Sequence, residues 1–83
     1  MEKRIGFIGI IIEDRQENSP AVNKVLSQYG ELILARVGLP RHGESQSAVI
    51  TLVVEATPDE IGALTGKIGA LPGVSVKSAF SKQ

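Results

Sequence analysis

The chain has 83 residues, enough for one small domain over 1–83 and too few for a second core. Nine basic side chains balance nine acidic ones, so the formal net charge is zero and there is no bulk basic surface of the kind that neutralises nucleic-acid phosphates. Cysteine is absent, which excludes disulfides, thiolate metal sites and a cysteine nucleophile.

The first element is the apolar stretch Ile5 to Ile12, Ile-Gly-Phe-Ile-Gly-Ile-Ile-Ile. It is far short of the roughly 20 residues of a membrane span, and its β-branched side chains mark a strand. Alternation puts Ile5, Phe7, Gly9 and Ile11 on one face and Gly6, Ile8, Ile10 and Ile12 on the other. Neither face is polar, so the strand belongs in the middle of a sheet. The acidic pair Glu13-Asp14 follows where a signal peptide would carry small residues, and the expected location is the cytoplasm.

A helix is predicted to begin at Ser19-Pro20, with Ser19 as the cap and Pro20 in the first helical position. Ala21, Val22, Val25, Leu26 and Tyr29 fall on its dry side, and Gly30 is the expected left-handed stop. The second strand is predicted over Glu31 to Leu39. Only its Ile33, Ala35, Val37 and Leu39 face is uniformly apolar, so it belongs at an edge. A polar turn, Pro40-Arg41-His42-Gly43-Glu44, leads to a third strand over Ser45 to Glu55. That strand is apolar on both sides and therefore central.

The second helix opens on Thr57-Pro58-Asp59-Glu60, with Thr57 and Glu60 spaced as a capping box and the acids at the positive end of the helix dipole. Ile61, Leu64, Ile68 and Leu71 form its buried stripe. Gly62, Gly66 and Gly69 line an adjacent strip, at a cost of about 3 kcal/mol relative to alanine. Such a smooth strip is expected to face another helix or the sheet of the same fold, the alternative being a ligand or a partner backbone. Leu71-Pro72-Gly73-Val74 reads as a type II turn with positive φ at Gly73. A one-sided strand carrying Val74, Val76, Ser78 and Phe80 ends the chain.

Strand, helix, strand, strand, helix, strand is the α+β, ferredoxin-like βαββαβ order, a four-stranded antiparallel sheet with two helices on one face. That fold places the first and third strands in the centre, and these are the two with apolar side chains on both faces. The helix-free face then carries exposed apolar residues from adjacent strands, each worth about 1.5–3 kcal/mol if buried. A homo-oligomer, dimer or tetramer, is expected, with this face or a sheet edge at the contact.

Catalytic signatures are missing: there is no nucleophile elbow, no phosphate-binding loop and no second histidine. Thr65-Gly66-Lys67 resembles a fragment of a phosphate loop but sits inside a helix. His42 reads as a solvated loop histidine, the alternative being a metal site shared across a symmetry axis. No cofactor is indicated. Glu13, Asp14 and Arg15 stand at a strand-to-helix junction, where ligands often bind, although a solvated loop with a local ion pair is the preferred reading of them.

Several segments together resemble one family. They are Gly9-Ile-Ile-Ile-Glu-Asp-Arg15, Val22-Asn23, Tyr29-Gly30, Arg36-Val-Gly-Leu-Pro40, Ala63-Leu-Thr-Gly-Lys-Ile-Gly69 and Leu71-Pro-Gly-Val74. Spread over nearly the whole chain, they look like the small proposed regulators of the iron-only hydrogenase system. The resemblance implies an ACT-like ferredoxin fold, related to the effector domain of the nickel-responsive repressor, and an oligomeric regulatory module. The chain departs from the repressor in lacking a ribbon-helix-helix segment, the cysteine and most histidines, so neither nickel sensing nor direct DNA binding carries over. It departs from amino-acid-binding ACT domains in having no glycine between Glu13 and Ser19.

The resulting expectation is a non-catalytic module that binds a small effector or a partner protein at a subunit interface, without contact to nucleic acid or membrane. Asp14, Arg15 and Asn23 are the expected contacts near the first loop, with Gly66 and Lys67 on the second helix. The competing readings are a ligand-free structural adaptor and a metal-binding oligomer that uses His42.

Overall fold

The computed structural model describes residues 2–40 and 46–82. The predicted order is present: β1 (Arg4–Ile12), α1 (Arg15–Gln28), a short 3-10 turn (Gly30–Leu32), β2 (Ile33–Pro40), β3 (Ala48–Ala56), α2 (Pro58–Gly69) and β4 (Val74–Phe80). The strands form one antiparallel sheet in the order β2-β3-β1-β4. The two strands with apolar side chains on both faces are the central pair, Phe7 lying opposite Val53 and Ile10 opposite Ile50.

Alternation on β1 decides where the core sits. Ile8, Ile10 and Ile12 are fully buried beneath the helices. Leu52 and Val54 of β3, Val22 and Leu26 of α1, and Leu64 and Ile68 of α2 close around them. β4 adds Val74, Val76 and Phe80 from the same side, since these lie opposite Ile12, Ile10 and Gly6. Gly6 is required there. A methyl group on its α-carbon would overlap the Phe80 ring and the Ala79 carbonyl oxygen, so the missing side chain is what lets the ring cover the end of the core.

α1 starts earlier than Ser19-Pro20 suggests. Its cap is Asp14, held at φ 48° and ψ 66°, a left-handed conformation that aspartate tolerates better than most residues. Ser19 is therefore not the cap, and Pro20 lies inside the helix. The proline removes one bond to the Gln16 carbonyl, on an exposed turn where water can take the place of the donor. Gly30 is not the expected left-handed stop either. α1 ends on Tyr29, whose N–H donates to the Leu26 carbonyl at 3.1 Å, and Gly30 opens the 3-10 turn that tucks Leu32 into the core side.

β2 carries a further correction. A register shift between Ile33 and Ala35 places Ile33 opposite Val54 but Ala35 opposite Val53. The apolar set Ile33, Ala35, Val37 and Leu39 is thereby split between two faces. Ile33 joins the core, whereas Val37 and Leu39 stand on the helix-free side, 68% and 60% exposed. β2 does lie at an edge, as its single apolar face indicated.

α2 follows its sequence signal closely. Thr57 caps it: the Thr57 Oγ1 accepts from the Glu60 N–H at 3.3 Å, and the Thr57 N–H donates to Glu60 Oε1 at 2.8 Å. The glycine strip behaves differently from expectation. Side chains at Gly62 or Gly66 would meet nothing, and only Gly69 approaches a neighbour, with Val76 Cγ1 3.3 Å from the place of its missing β-carbon.

Two stability outcomes follow. Gly6→Ala is expected to cost about 1–3 kcal/mol, the range for forcing extra volume into a packed core, read from urea unfolding. The Glu60 carboxylate is held below its ordinary value of 4.5 by the bond from the Thr57 N–H first, then by the Thr57 hydroxyl and the charge of Lys3. A lowered native pKa gives stability that is present above the unfolded value and is lost as the pH falls through the native one. Glu60→Ala is therefore expected to be less stable than wild type near neutrality, with the difference fading as the pH drops below 4.5.

Candidate functional site

The helix-free face of the sheet is a broad apolar surface. Both central strands put apolar side chains there, because the outward phase of β1 is wholly apolar and that of β3 carries Val49 and Val53 beside Thr51 and Glu55. Ile5, Phe7 and Ile11 of β1 are 50%, 56% and 49% exposed, and Val49 and Val53 of β3 stand beside them. Gly9 lies between Phe7 and Ile11, opposite Thr51 and Lys77. A β-carbon there would find only the Lys77 carbonyl oxygen, 3.9 Å away. The face thus has a hollow at its middle and ridges on either side. Toward the end of β1, a recess of about 390 Å³ opens between Ile5, Phe7, Val53, Ala79 and Phe80.

The second feature is the junction where β1 passes into α1. Three residues with positive φ meet here: Asp14 at 48°, Gln46 at 50° and Gly73 at 69°. They come from three different connections and are joined by main-chain bonds. The Glu13 N–H donates to the Gly73 carbonyl at 2.8 Å and the Arg15 N–H to the Gln46 carbonyl at 2.8 Å. The Asn18 side chain donates to the Glu13 carbonyl at 2.7 Å and fills the space over Gly73, where a β-carbon would collide with its amide. Asp14 sets the left-handed step, yet its carboxylate makes no capping bond.

The residues expected from sequence fall in separate places. Asp14 and Arg15 sit together at this junction. Asn23 lies two turns along α1, and its Oδ1 accepts from Arg36 Nη2 at 2.6 Å, so it ties the helix to the edge strand. Gly66 is exposed on α2, and the Lys67 Nζ lies 5.2 Å from the centre of the Tyr29 ring. Tyr29 and Asp14 cap opposite ends of α1, about 20 Å apart at the rise of a helix. The first pair and Lys67 therefore belong to different surfaces. His42 lies outside the described residues. Among the described residues no group of three or more His, Asp or Glu side chains is placed to hold a metal ion.

Sequence reasoning did not single out Asn18, Gln46 or Phe7 for a site. Asn18 and Gln46 carry no motif, and their importance arises from bonds to residues remote in the chain. Phe7 was legible as part of an apolar face, although nothing local distinguishes a residue that a helix will cover from one that it will not. A separate open hollow of about 610 Å³ lies between the end of α1 and the start of α2, with Tyr29, Gly30, Glu31 and Glu60 on its walls. The Glu60 carboxylate there is already engaged by the capping box. No buried polar or charged residue occurs among the described residues, and no helix among them is long and apolar enough to cross a membrane.

Comparison with known proteins places this geometry. Residues 4–78 match the TM1266-like family, iron-only hydrogenase system regulators. The solved structure of the uncharacterized protein TM1266 from Thermotoga maritima is 43% identical, covers 98% of this chain and 100% of its own, and superposes with a TM-score of 0.91. At lower identity the likeness is one of fold. The ACT domain of a GTP pyrophosphokinase from Chlorobium tepidum is 20% identical with a TM-score of 0.72, over 95% of this chain and 89% of that one. The C-terminal domain of the MgtC protein from Mycobacterium tuberculosis is 15% identical with a TM-score of 0.71, over 96% and 89%. No curated protein matches. The fold is thus ACT-like, and the chain belongs to the TM1266-like family of iron-only hydrogenase system regulators, a family in which the regulatory role is itself an inferred one.

Proposed function

We propose that the chain is a non-catalytic regulatory module of the cytoplasm that works as a homo-oligomer and responds to a small effector or a partner protein. The observation that carries this reading is the helix-free sheet face. Phe7, Ile5 and Ile11 are about half exposed in a single copy, and leaving such side chains wet forgoes about 1.5–3 kcal/mol each. Association removes that penalty. Family membership supports the regulatory half of the reading.

The junction is the proposed effector site, with Asp14 and Arg15 as its contacts. β1 links it to the association face, since the strand that carries Phe7 and Ile11 ends directly in Glu13 and Asp14. An effector that binds one arrangement of this junction more tightly than another would bias assembly by the difference in affinity. Asn23, Gly66 and Lys67 lie on the helix layer, on the opposite side of the sheet from the association face, and are proposed as contacts for a partner protein. The same apolar face also suits a ligand-free adaptor. That reading is favoured if one stoichiometric protein partner co-purifies and native mass spectrometry finds no small molecule.

Sedimentation velocity at micromolar concentration is expected to show particles that are multiples of 8.8 kDa; solitary particles up to about 100 µM would overturn the oligomer. Thermal unfolding against a panel of metabolites and metal ions tests the effector. A true effector at a hundred times its dissociation constant adds about 2.7 kcal/mol, a shift of roughly 10–20 °C for a domain this small. The shift is expected to vanish in Asp14→Ala, and the absence of any shift across the panel would remove the sensing role.

A further inference from the structure

We infer that two copies pack sheet against sheet about a two-fold axis, with Phe7 of each copy seated in the hollow over the partner's Gly9. This deepens the self-association proposed above and rests on it.

The β2 edge is a competing contact, and it is poorly suited. β2 has an interrupted register at Ile33/Ala35 and ends on Pro40. A bulge and a proline are the devices that keep an edge from pairing with another chain. The open face has no such protection. Its exposed side chains present on the order of 600 Å² of apolar surface per copy, the upper end for the largest patch on a monomer. Two such faces bury about 1,200 Å², where specific interfaces begin.

Charge and shape favour a second copy as the occupant. The chain has no net charge, so two copies meet without overall repulsion. Pairing in register puts Glu55 beside Ile5 and Lys77 beside Gly9 on this face, so the paired strands carry one acid and one base there, the acid beyond the cluster of Phe7, Ile11, Val49 and Val53 and the base on β4 at the flank of the hollow. Such a face is compatible with itself. In an isologous contact, residue i meets j while j meets i, so a ridge needs a hollow of its own size nearby. Phe7 and Gly9 supply both, two residues apart on one strand and one face. A two-fold axis at the level of Ile8, whose own side chain points into the core, sets each ring over the other copy's glycine. At the roughly 10 Å spacing of packed sheets, a phenylalanine ring spans the gap and fills the hollow.

The test is an exchange of ridge and hollow, read as the dissociation constant by sedimentation equilibrium on the full chain. Phe7→Gly and Gly9→Phe are each expected to weaken association on the order of 100-fold, as loss of a central anchor does. The double variant carries the ring at 9 and the hollow at 7, and is expected to return to within about tenfold of wild type. Far-UV circular dichroism and thermal unfolding establish that each variant is folded. An isotope-filtered NOE between the Phe7 ring and the partner's Gly9 α-protons in half-labelled wild type gives the same answer without any substitution. A wild type that sediments as single copies overturns both the inference and the self-association beneath it. Oligomers indifferent to both single changes overturn the packing alone. Weakened single variants with no recovery in the double overturn the pairing of Phe7 with Gly9.

Discussion

Two helices cannot cover both sides of a four-stranded sheet, and β1 is apolar on both of its sides. Most of the structure follows from that mismatch. One phase of β1, Ile8, Ile10 and Ile12, is fully buried and gathers Leu52, Val22, Leu64 and Ile68 around it. The other phase is equally oily and has no helix above it. A sequence that wanted only a stable isolated fold would alternate oily and polar residues along this strand, as one-sided antiparallel strands do. Keeping Ile5, Phe7 and Ile11 instead accepts exposed apolar surface, which calls for an occupant.

The sheet also separates two kinds of chemistry. Its open face is apolar and carries little charge, with a hollow at its middle. Its far end, where β1 enters α1, is a knot of main-chain bonds among Glu13, Arg15, Gln46 and Gly73. The helix layer carries other polar contacts, among them Asn23 with Arg36 and Lys67 over Tyr29. No buried ionisable group appears among the described residues. The family assignment is to regulators of the iron-only hydrogenase system.

Much of this was legible in the residues alone. Apolar side chains on both faces placed β1 and β3 in the centre, Thr57 and Glu60 announced α2, and the Pro72-Gly73 pair announced a positive φ. Each signal is local, so no distant contact can erase it. The misreadings share the opposite property. Ser19-Pro20 is a good helix start in isolation, yet bonds from the Glu13 and Arg15 amides to Gly73 and Gln46 fix the chain into a helix a turn earlier. The phase change in β2 arises from an extra residue near Leu34 that no periodicity reveals. Glycines spaced along α2 suggested a close neighbour, and Gly62 and Gly66 have none. The candidate site fared similarly: Asp14 and Arg15 could be placed at a strand end, but Asn18 and Gln46 acquire a role only when remote connections meet.

The knot at the end of β1 has a consequence for how such a protein can diversify. Its principal links run between peptide groups, Glu13 to Gly73 and Arg15 to Gln46, and peptide groups are the same whatever residue bears them. Side chains at 13 and 14 can therefore be exchanged, so long as residue 14 tolerates a left-handed turn, without dismantling the scaffold that presents them. Descendants of one ancestral frame could in this way come to answer to chemically different signals while keeping a common skeleton.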